Sequence, residues 1–120
     1  MKKVLIIEDN EDITRILIKK LKTAPYLVSA LDNGAGVISY LSKSGEHPDA
    51  LILDLMLPDR SGIELLGAIK SMLPSTQVFI FSAYQQYTSM IPKDYVEGFF
   101  LKTDGIDHLM NALNHSLTVQ

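Results

Sequence analysis

Five positions spread along the 120-residue chain carry the side chains best suited to do chemistry together: Glu8 and Asp9, Asp54, Ser82 and Lys102. Each follows a short apolar run. Val4-Leu5-Ile6-Ile7 leads into Glu8-Asp9, Ala50-Leu51-Ile52-Leu53 into Asp54, Val78-Phe79-Ile80-Phe81 into Ser82, and Phe99-Phe100-Leu101 into Lys102. Three carboxylates gathered in one place repel one another and stay ionised only if a cation offsets them. Hard oxygen ligands of this kind suit Mg²⁺, which takes one or two carboxylates and keeps waters and a phosphate oxygen in its shell. A lysine and a hydroxyl beside them add a point charge and a hydrogen-bond donor for a phosphoryl group. Phosphoryl transfer is mostly positioning and charge stabilisation, and a carboxylate nucleophile gives an acyl phosphate. Taken singly, each of the five also reads as a turn residue, a helix cap or a solvated charge. Their joint occurrence at the ends of four apolar runs is what points to a site.

The elements that must position them alternate along the whole chain. Val4–Ile7 has the continuous apolar character of a strand buried on both faces. Ile13, Ile16, Leu17 and Leu21 then recur at helical spacing opposite Lys19, Lys20 and Lys22, with Asn10 or Asp9 as cap and a stop before Pro25. Tyr26–Leu31 is a second strand and Asp32-Asn33-Gly34 a turn, and Val37, Ile38 and Leu41 mark a short helix ending near Ser44-Gly45. Ala50–Leu53 is the third strand; Ile63, Leu65, Leu66, Ile69 and Met72 give a helix that stops before Pro74. Val78–Phe81 is the fourth strand, Gln85–Ile91 a helix cut short by Pro92, Phe99–Leu101 the fifth strand, and Ile106–Leu117 a last helix with Leu109, Met110, Leu113 and Leu117 inward. Five βα units over residues 1–120 predict one α/β domain with a five-stranded parallel sheet and helices on both faces. Right-handed crossovers favour the flavodoxin-like strand order 2-1-3-4-5. In such sheets the ligand lies at the carboxyl ends of the strands, which is where the five residues stand.

Composition narrows the functional classes. Hydrophobic residues at 47% and charged residues at 21% suit a packed globule. With no cysteine, disulfide frameworks, thiolate zinc sites and cysteine nucleophiles are excluded. A net charge of -3 is the wrong sign for holding nucleic acid through its phosphates. The apolar runs are far shorter than the ~20 residues of a membrane span, and Met1-Lys2-Lys3-Val4 meets Glu8 and Asp9 too soon for a secretory signal. A cytoplasmic location and no membrane partner are therefore expected. Gly34-Ala35-Gly36 has Ser39 at the third glycine position of a dinucleotide fingerprint and reads as a tight turn into a helix. His108 and His115 are about 10.5 Å apart along one helix, too far for one metal ion, and with His47 they read as surface residues. Tyr84, Tyr87 and Tyr95 read as packing around a shortened helix rather than a partner patch.

The motifs Ile7-Glu8-Asp9-Asn10, Leu53-Asp54-Leu55-Met56-Leu57-Pro58-Asp59-Arg60-Ser61-Gly62, Phe81-Ser82-Ala83 and Gly98-Phe99-Phe100-Leu101-Lys102 resemble, in order and spacing, the receiver domains (CheY-like) of two-component response regulators. The resemblance covers the whole chain. The flavodoxin-like strand order is itself a property of this family, so the two expectations are one. The resemblance implies that Asp54 accepts a phosphoryl group from a histidine kinase or phosphotransfer protein, with Mg²⁺ as cofactor. Asp9 would be a direct metal ligand, Glu8 its water-mediated companion, and the Met56 backbone carbonyl would complete the protein ligands with Asp54. Lys102 would pair with a phosphoryl oxygen, Ser82 would move to hydrogen-bond it, and Phe99 would swing inward behind. Pro58 to Gly62 would hold the acceptor loop in shape, with Pro58 and Ala83 flanking the phosphosite.

The implied partners are an output domain or effector, DNA through a domain outside this chain, and a second copy in a homodimer. The Gly98–Lys102 stretch resembles receivers attached to helix-turn-helix DNA-binding domains. Since the chain ends at Gln120, it is expected to be a stand-alone receiver or a fragment of a longer regulator. Thr103 stands where many receivers have a proline that favours a cis bond; before a non-proline that bond costs about 3 kcal/mol, which leaves its geometry open. The stretch from Ser82 to Lys102 is a couple of residues short, and Pro92 lies where the fourth helix usually continues. Both bear on the surface through which many relatives dimerise or bind effectors. Met56 and Tyr84, two residues after Asp54 and Ser82, carry no carboxylate or amide to orient a hydrolytic water, which predicts slow self-dephosphorylation. Two other readings fit the residues less well. Asp54 also resembles the nucleophile of haloacid-dehalogenase-type phosphatases, but their general acid two residues on is Met56 here and the chain is short for a substrate cap. A constitutive receiver-fold interaction module would have no need of the acidic set.

Overall fold

A computed structural model describes residues 1–43 and 47–118 of the chain. Its elements follow the apolar runs closely: β1 (Lys2–Ile7), α1 (Glu11–Leu21), β2 (Tyr26–Leu31), α2 (Gly34–Lys43), β3 (Ala50–Leu53), α3 (Gly62–Met72), β4 (Gln77–Ser82), β5 (Gly98–Leu101) and α4 (Asp107–Thr118). The five strands are parallel in the order β2-β1-β3-β4-β5, as expected. Register aligns their carboxyl ends: Ile7 stands beside Leu31 on one side and Leu53 on the other, Leu53 beside Ile80, and Ser82 beside Leu101.

Alternate residues of the central strands serve two cores. Val4, Ile6, Ile52, Phe79 and Phe81 pack with Leu17 and Leu21 of α1 and with Leu109, Leu113 and Leu117 of α4. Leu5, Ile7, Leu51, Leu53, Val78 and Ile80 face the other way, onto Val37 of α2 and Leu65, Leu66 and Ile69 of α3. This double burial explains why β1, β3 and β4 lack polar alternation. Each of these side chains contributes roughly 1.5–3 kcal/mol by leaving water, which secures a rigid base for the strand ends.

Helix boundaries have identifiable causes. Asn10, not Asp9, caps α1: its Oδ1 accepts from the N–H groups of Asp12 (2.9 Å) and Ile13 (3.2 Å). Ser61 caps α3 by accepting from Ile63 N–H. The expected end of α2 near Ser44-Gly45 lies outside the described residues. Ile16 and Met72, counted in the apolar stripes, are half-exposed because the core-facing stripe of α1 runs through Leu17 and Leu21 and that of α3 through Leu65, Leu66 and Ile69.

The clearest departure is the helix expected at Gln85–Ile91. Two 3₁₀ turns, Gln85–Met90 and Lys93–Tyr95, stand between β4 and β5 instead, so the fourth βα unit counted from the sequence is not a full one. Pro92 removes a backbone donor and pushes the preceding residue to extended geometry, and Ile91 indeed has φ -108, ψ 123. Tyr87 packs against the core and Tyr84 meets it edge-on at 6.0 Å, while Tyr95 is exposed. His47, His108 and His115 are surface residues. No cis peptide occurs among the described residues, so the Lys102–Thr103 bond is trans. Gly105, at φ +78, turns the chain from the 3₁₀ turn Lys102–Asp104 into α4, a conformation that favours glycine. Among the described residues, no helix is long and apolar enough to cross a membrane.

Candidate functional site

The hydrogen-bond ladder runs one residue past the strands. Glu8 N–H donates to Leu31 O (3.0 Å) and Asp54 N–H to Ile7 O (2.9 Å), so the backbones beneath both acids are locked to the sheet. Glu8 and Asp54 are each only 3% exposed, whereas Asp9 faces solvent. Oxygens of the three carboxylates lie within 4.8 Å of one another. Lys102 Nζ reaches in from the end of β5, 2.7 Å from Glu8 Oε1 and 3.4 Å from Asp54 Oδ2. The remaining oxygens are also held: Glu8 Oε2 accepts from Asn10 N–H (3.1 Å) and Asp54 Oδ1 from Met56 N–H (3.2 Å). Burial pushes the Glu8 carboxyl up to about 7; the Lys102 hydrogen bond opposes this and the Asp54 charge adds to it.

These groups border a cavity of about 620 Å³ that also takes in Met56, Ala83 and Tyr84. Three acids against one lysine leave two negative charges when all are ionised, and the donors are hard oxygens. That donor set fits a divalent cation such as Mg²⁺, held by Glu8, Asp9 and Asp54.

The sequence-derived residues are not all together. Glu8, Asp9, Asp54, Met56, Ala83, Tyr84 and Lys102 share the cavity. Ser82 does not border it: the residue is fully buried at the end of β4, its Oγ accepting from Tyr84 N–H at 3.2 Å. Phe99 is half-buried on β5 against the core of the α2–α3 side. Pro58 is exposed on the loop between β3 and α3. That loop is tied off by Gly62 N–H to Leu55 O (2.9 Å) and a bridge between Met56 and Ser61.

One tie beside the site has no counterpart in the sequence motifs. Asp59, at the loop tip, accepts from Gly34 N–H (2.7 Å) and Ala35 N–H (2.9 Å) at the start of α2, while Asn33 Oδ1 accepts from Gly36 N–H (2.7 Å). The amides that a dinucleotide phosphate would use at Gly34-Ala35-Gly36 therefore already have partners within the chain. These bonds hold the Asp59 carboxyl below its usual range. A partner 25 residues away leaves no local signal; only the acid within Pro58–Gly62 hinted at a capping role.

Comparison with known proteins agrees with this architecture. The family model for the response regulator receiver domain matches residues 4–114. The response regulator receiver protein CpdR of Brucella abortus is 34% identical over 85 residues, covering 70% of this chain and 68% of its own length. The transcriptional regulatory protein KdpE of Mycobacterium tuberculosis is 42% identical over 81 residues, 67% of this chain but only 34% of its own. Among solved structures, the Thermotoga maritima response regulator TrrA, crystallised with Mg²⁺-BeF, shares the fold at TM-score 0.84 and 24% identity, covering 96% of this chain and 98% of its own. The phosphorylated cyanobacterial phytochrome response regulator RcpA has TM-score 0.84 at 25% identity, covering 99% and 96%. With its fold, strand order and family match in agreement, the chain belongs to the response regulator receiver domain family of two-component signalling.

Proposed function

We propose that residues 1–120 form a phosphoryl-accepting switch in which Asp54 is the acceptor. An Asp54 carboxylate oxygen attacks the phosphorus of a phosphohistidine on a partner kinase or phosphotransfer protein. The new O–P bond forms as the P–N bond breaks, and the imidazole leaves with the bonding pair and takes up a proton. Met56 N–H orients the carboxylate, and Lys102, already between Glu8 and Asp54, donates to a phosphoryl oxygen. Glu8, Asp9, Asp54 and the Met56 carbonyl would hold Mg²⁺, which when bound supplies positive charge to the phosphoryl oxygens. Ser82 must rotate away from Tyr84 N–H to reach the phosphate, and Phe99 behind it would move into the vacated space. Such a change couples a local charge event to a packing element with two arrangements. Met56 and Tyr84 leave hydrolytic water unoriented, so the acyl phosphate would be long-lived.

The observation that carries this reading is the meeting of the three acids with the Lys102 ammonium at the ends of strands β1, β3 and β5. The phosphorylated state named for RcpA, at 25% identity, supports it. As a signalling module, the domain would catalyse only its own phosphorylation and dephosphorylation. Its output would pass to an effector, to a second copy, or to DNA through a domain outside this chain, in keeping with the regulatory relatives. The test is intact mass after mixing the protein with Mg²⁺ and a small phosphodonor, beside Asp54→Asn. A gain of one phosphoryl group by the native protein alone is expected. No gain in either would leave a passive interaction module, and rapid turnover of phosphatase substrates would make the chain a hydrolase.

A further inference from the structure

The acceptor loop has three anchors, and one lies on a different helix. At its base Asp54 is tied to β1, and at its far end Gly62 and Ser61 are tied to Leu55 and Met56. Between them Leu57 packs on the core. The tip is held by Asp59, whose two carboxylate oxygens each accept one N–H from the first turn of α2. Arg60 completes the contact. Its aliphatic chain lies so close over Gly34 that a Cβ there would come within 2.7 Å of Arg60 Cδ and 2.9 Å of its Cβ and Cγ. Only a glycine lets the loop lie this near, and Gly34 is buried beneath it. Neither Asp59 nor Arg60 borders the acidic cavity.

We propose that Asp59 and Arg60 form a clasp between the acceptor loop and the start of α2, a positioning device that sets how tightly the acidic cluster binds a divalent cation. The proposal rests on reading that cluster as a metal centre. The physical argument is preorganisation. A loop with an untethered tip samples many paths beside Asp54, and a cation that needs one of them loses affinity by the fraction of time spent elsewhere. By reciprocity, filling the cluster tightens the clasp, so the ion is felt at α2.

The test is calorimetric titration of Mg²⁺ into the whole chain, paired with amide hydrogen exchange at Gly34 and Ala35. Asp59→Ala is expected to weaken Mg²⁺ binding roughly five- to tenfold, the low end of couplings between sites. Glu64→Gln, which removes an exposed charge in the first turn of α3, should stay within about twofold. Gly34→Ala changes no charge yet should also weaken binding, because its Cβ would meet Arg60 Cβ, Cγ and Cδ and push the loop off α2. In the native protein Mg²⁺ should slow exchange at Gly34 and Ala35. Native-like affinity in both Asp59→Ala and Gly34→Ala would overturn the clasp, as would an equal loss in Glu64→Gln. Failure of the native protein to bind Mg²⁺ is a different result: it would overturn the metal centre itself, and the clasp's role with it.

Discussion

The same substitution at two glycines of one helix should have opposite effects. Gly62 opens α3 where the acceptor loop returns, and a Cβ there would stand 2.5 Å from Leu55 Cα and 2.6 Å from Asp54 O. Both neighbours are backbone and cannot rotate aside, and ordinary carbon contacts begin near ~3.5 Å. Gly62→Ala therefore forces α3 and the Asp54 carbonyl apart by about 1 Å, an overpacking of about 1–3 kcal/mol. An unfolding entropy near 2.1 cal/mol/K per residue gives a chain of this length about 0.25 kcal/mol/K, so Tm should fall by roughly 4–12 °C. Gly67, at mid-helix on the exposed face, has nothing within 4 Å of a Cβ. There alanine stabilises by about 0.5–1 kcal/mol through helix propensity, raising Tm by roughly 2–4 °C. Scanning calorimetry of the two variants, with and without Mg²⁺, reads both effects. Gly62→Ala should also shrink the Mg²⁺-induced rise in Tm, because the displaced carbonyl belongs to Asp54, the proposed acceptor. A Gly62→Ala Tm within a degree of native, or shifts of equal sign at both positions, would refute the close approach of α3 to the acceptor backbone.

Linkage predicts that each tenfold increase in Mg²⁺ above its dissociation constant adds about 1.4 kcal/mol, or roughly 5–6 °C in Tm; Asp9→Asn should move the onset of that rise to higher Mg²⁺, and a flat native response would argue against a metal centre. Lys102→Gln strands two buried carboxylates and should cost the metal-free protein about 3–5 kcal/mol, most of it returned by Mg²⁺; chemical denaturation that finds no loss would mean the 2.7 Å contact with Glu8 carries no net stability. Met56→Asn should change the decay rate of the phosphorylated protein, and identical decay in the two would dismiss Met56 as a cause of slow hydrolysis. Asp59 is an acid whose folded pKa is depressed, first by Gly34 N–H, then by Ala35 N–H, with Arg60 also lowering it. Its stabilisation should be whole above the ordinary carboxylate range and fade as pH falls through its lowered value. The Tm gap between native and Asp59→Asn should therefore close on acidification from pH 7; a gap that does not narrow as the carboxylate is protonated would mean its charge is not what holds α2.

Much of the fold was legible because its strongest constraints are local. Val4–Ile7, Ala50–Leu53 and Val78–Phe81 are apolar on both faces, and that alone marks them as central parallel strands. Once they are central and in register, the residues after them must share one end of the sheet, so Glu8 and Asp54 were bound to converge, and Lys102 joins them because β5 runs parallel beside β4. What escaped depends on competition or distance. In Gln85–Ile91 helical spacing competes with Pro92, and the proline won. Ile16 is apolar at helical spacing yet lies off the narrower seam that the sheet covers. Ser82 follows a buried strand but stays within it, because β4 pairs through Ser82 with Leu101. The Asp59 bonds to α2 cross 24 and 25 residues, a separation at which no periodicity speaks.

Two buried acids facing each other across a single lysine are a poor way to stabilise a small domain. Desolvation raises the Glu8 carboxyl to about 7, so the metal-free site holds a strained charge balance at neutral pH. Lys102 resolves it unevenly. At 2.7 Å its bond to Glu8 has the length of a full charge-assisted contact, while 3.4 Å to Asp54 is beyond that range. The ammonium is thus committed mainly to Glu8, and Asp54 is the less tightly held of the two acids. A cation that took over the neutralisation of Glu8 would release Lys102 toward whatever negative group forms on Asp54. The arrangement makes sense as a resting state whose destabilising term is removed by binding, because a cluster optimised for stability alone would have replaced the pair with apolar side chains of similar size.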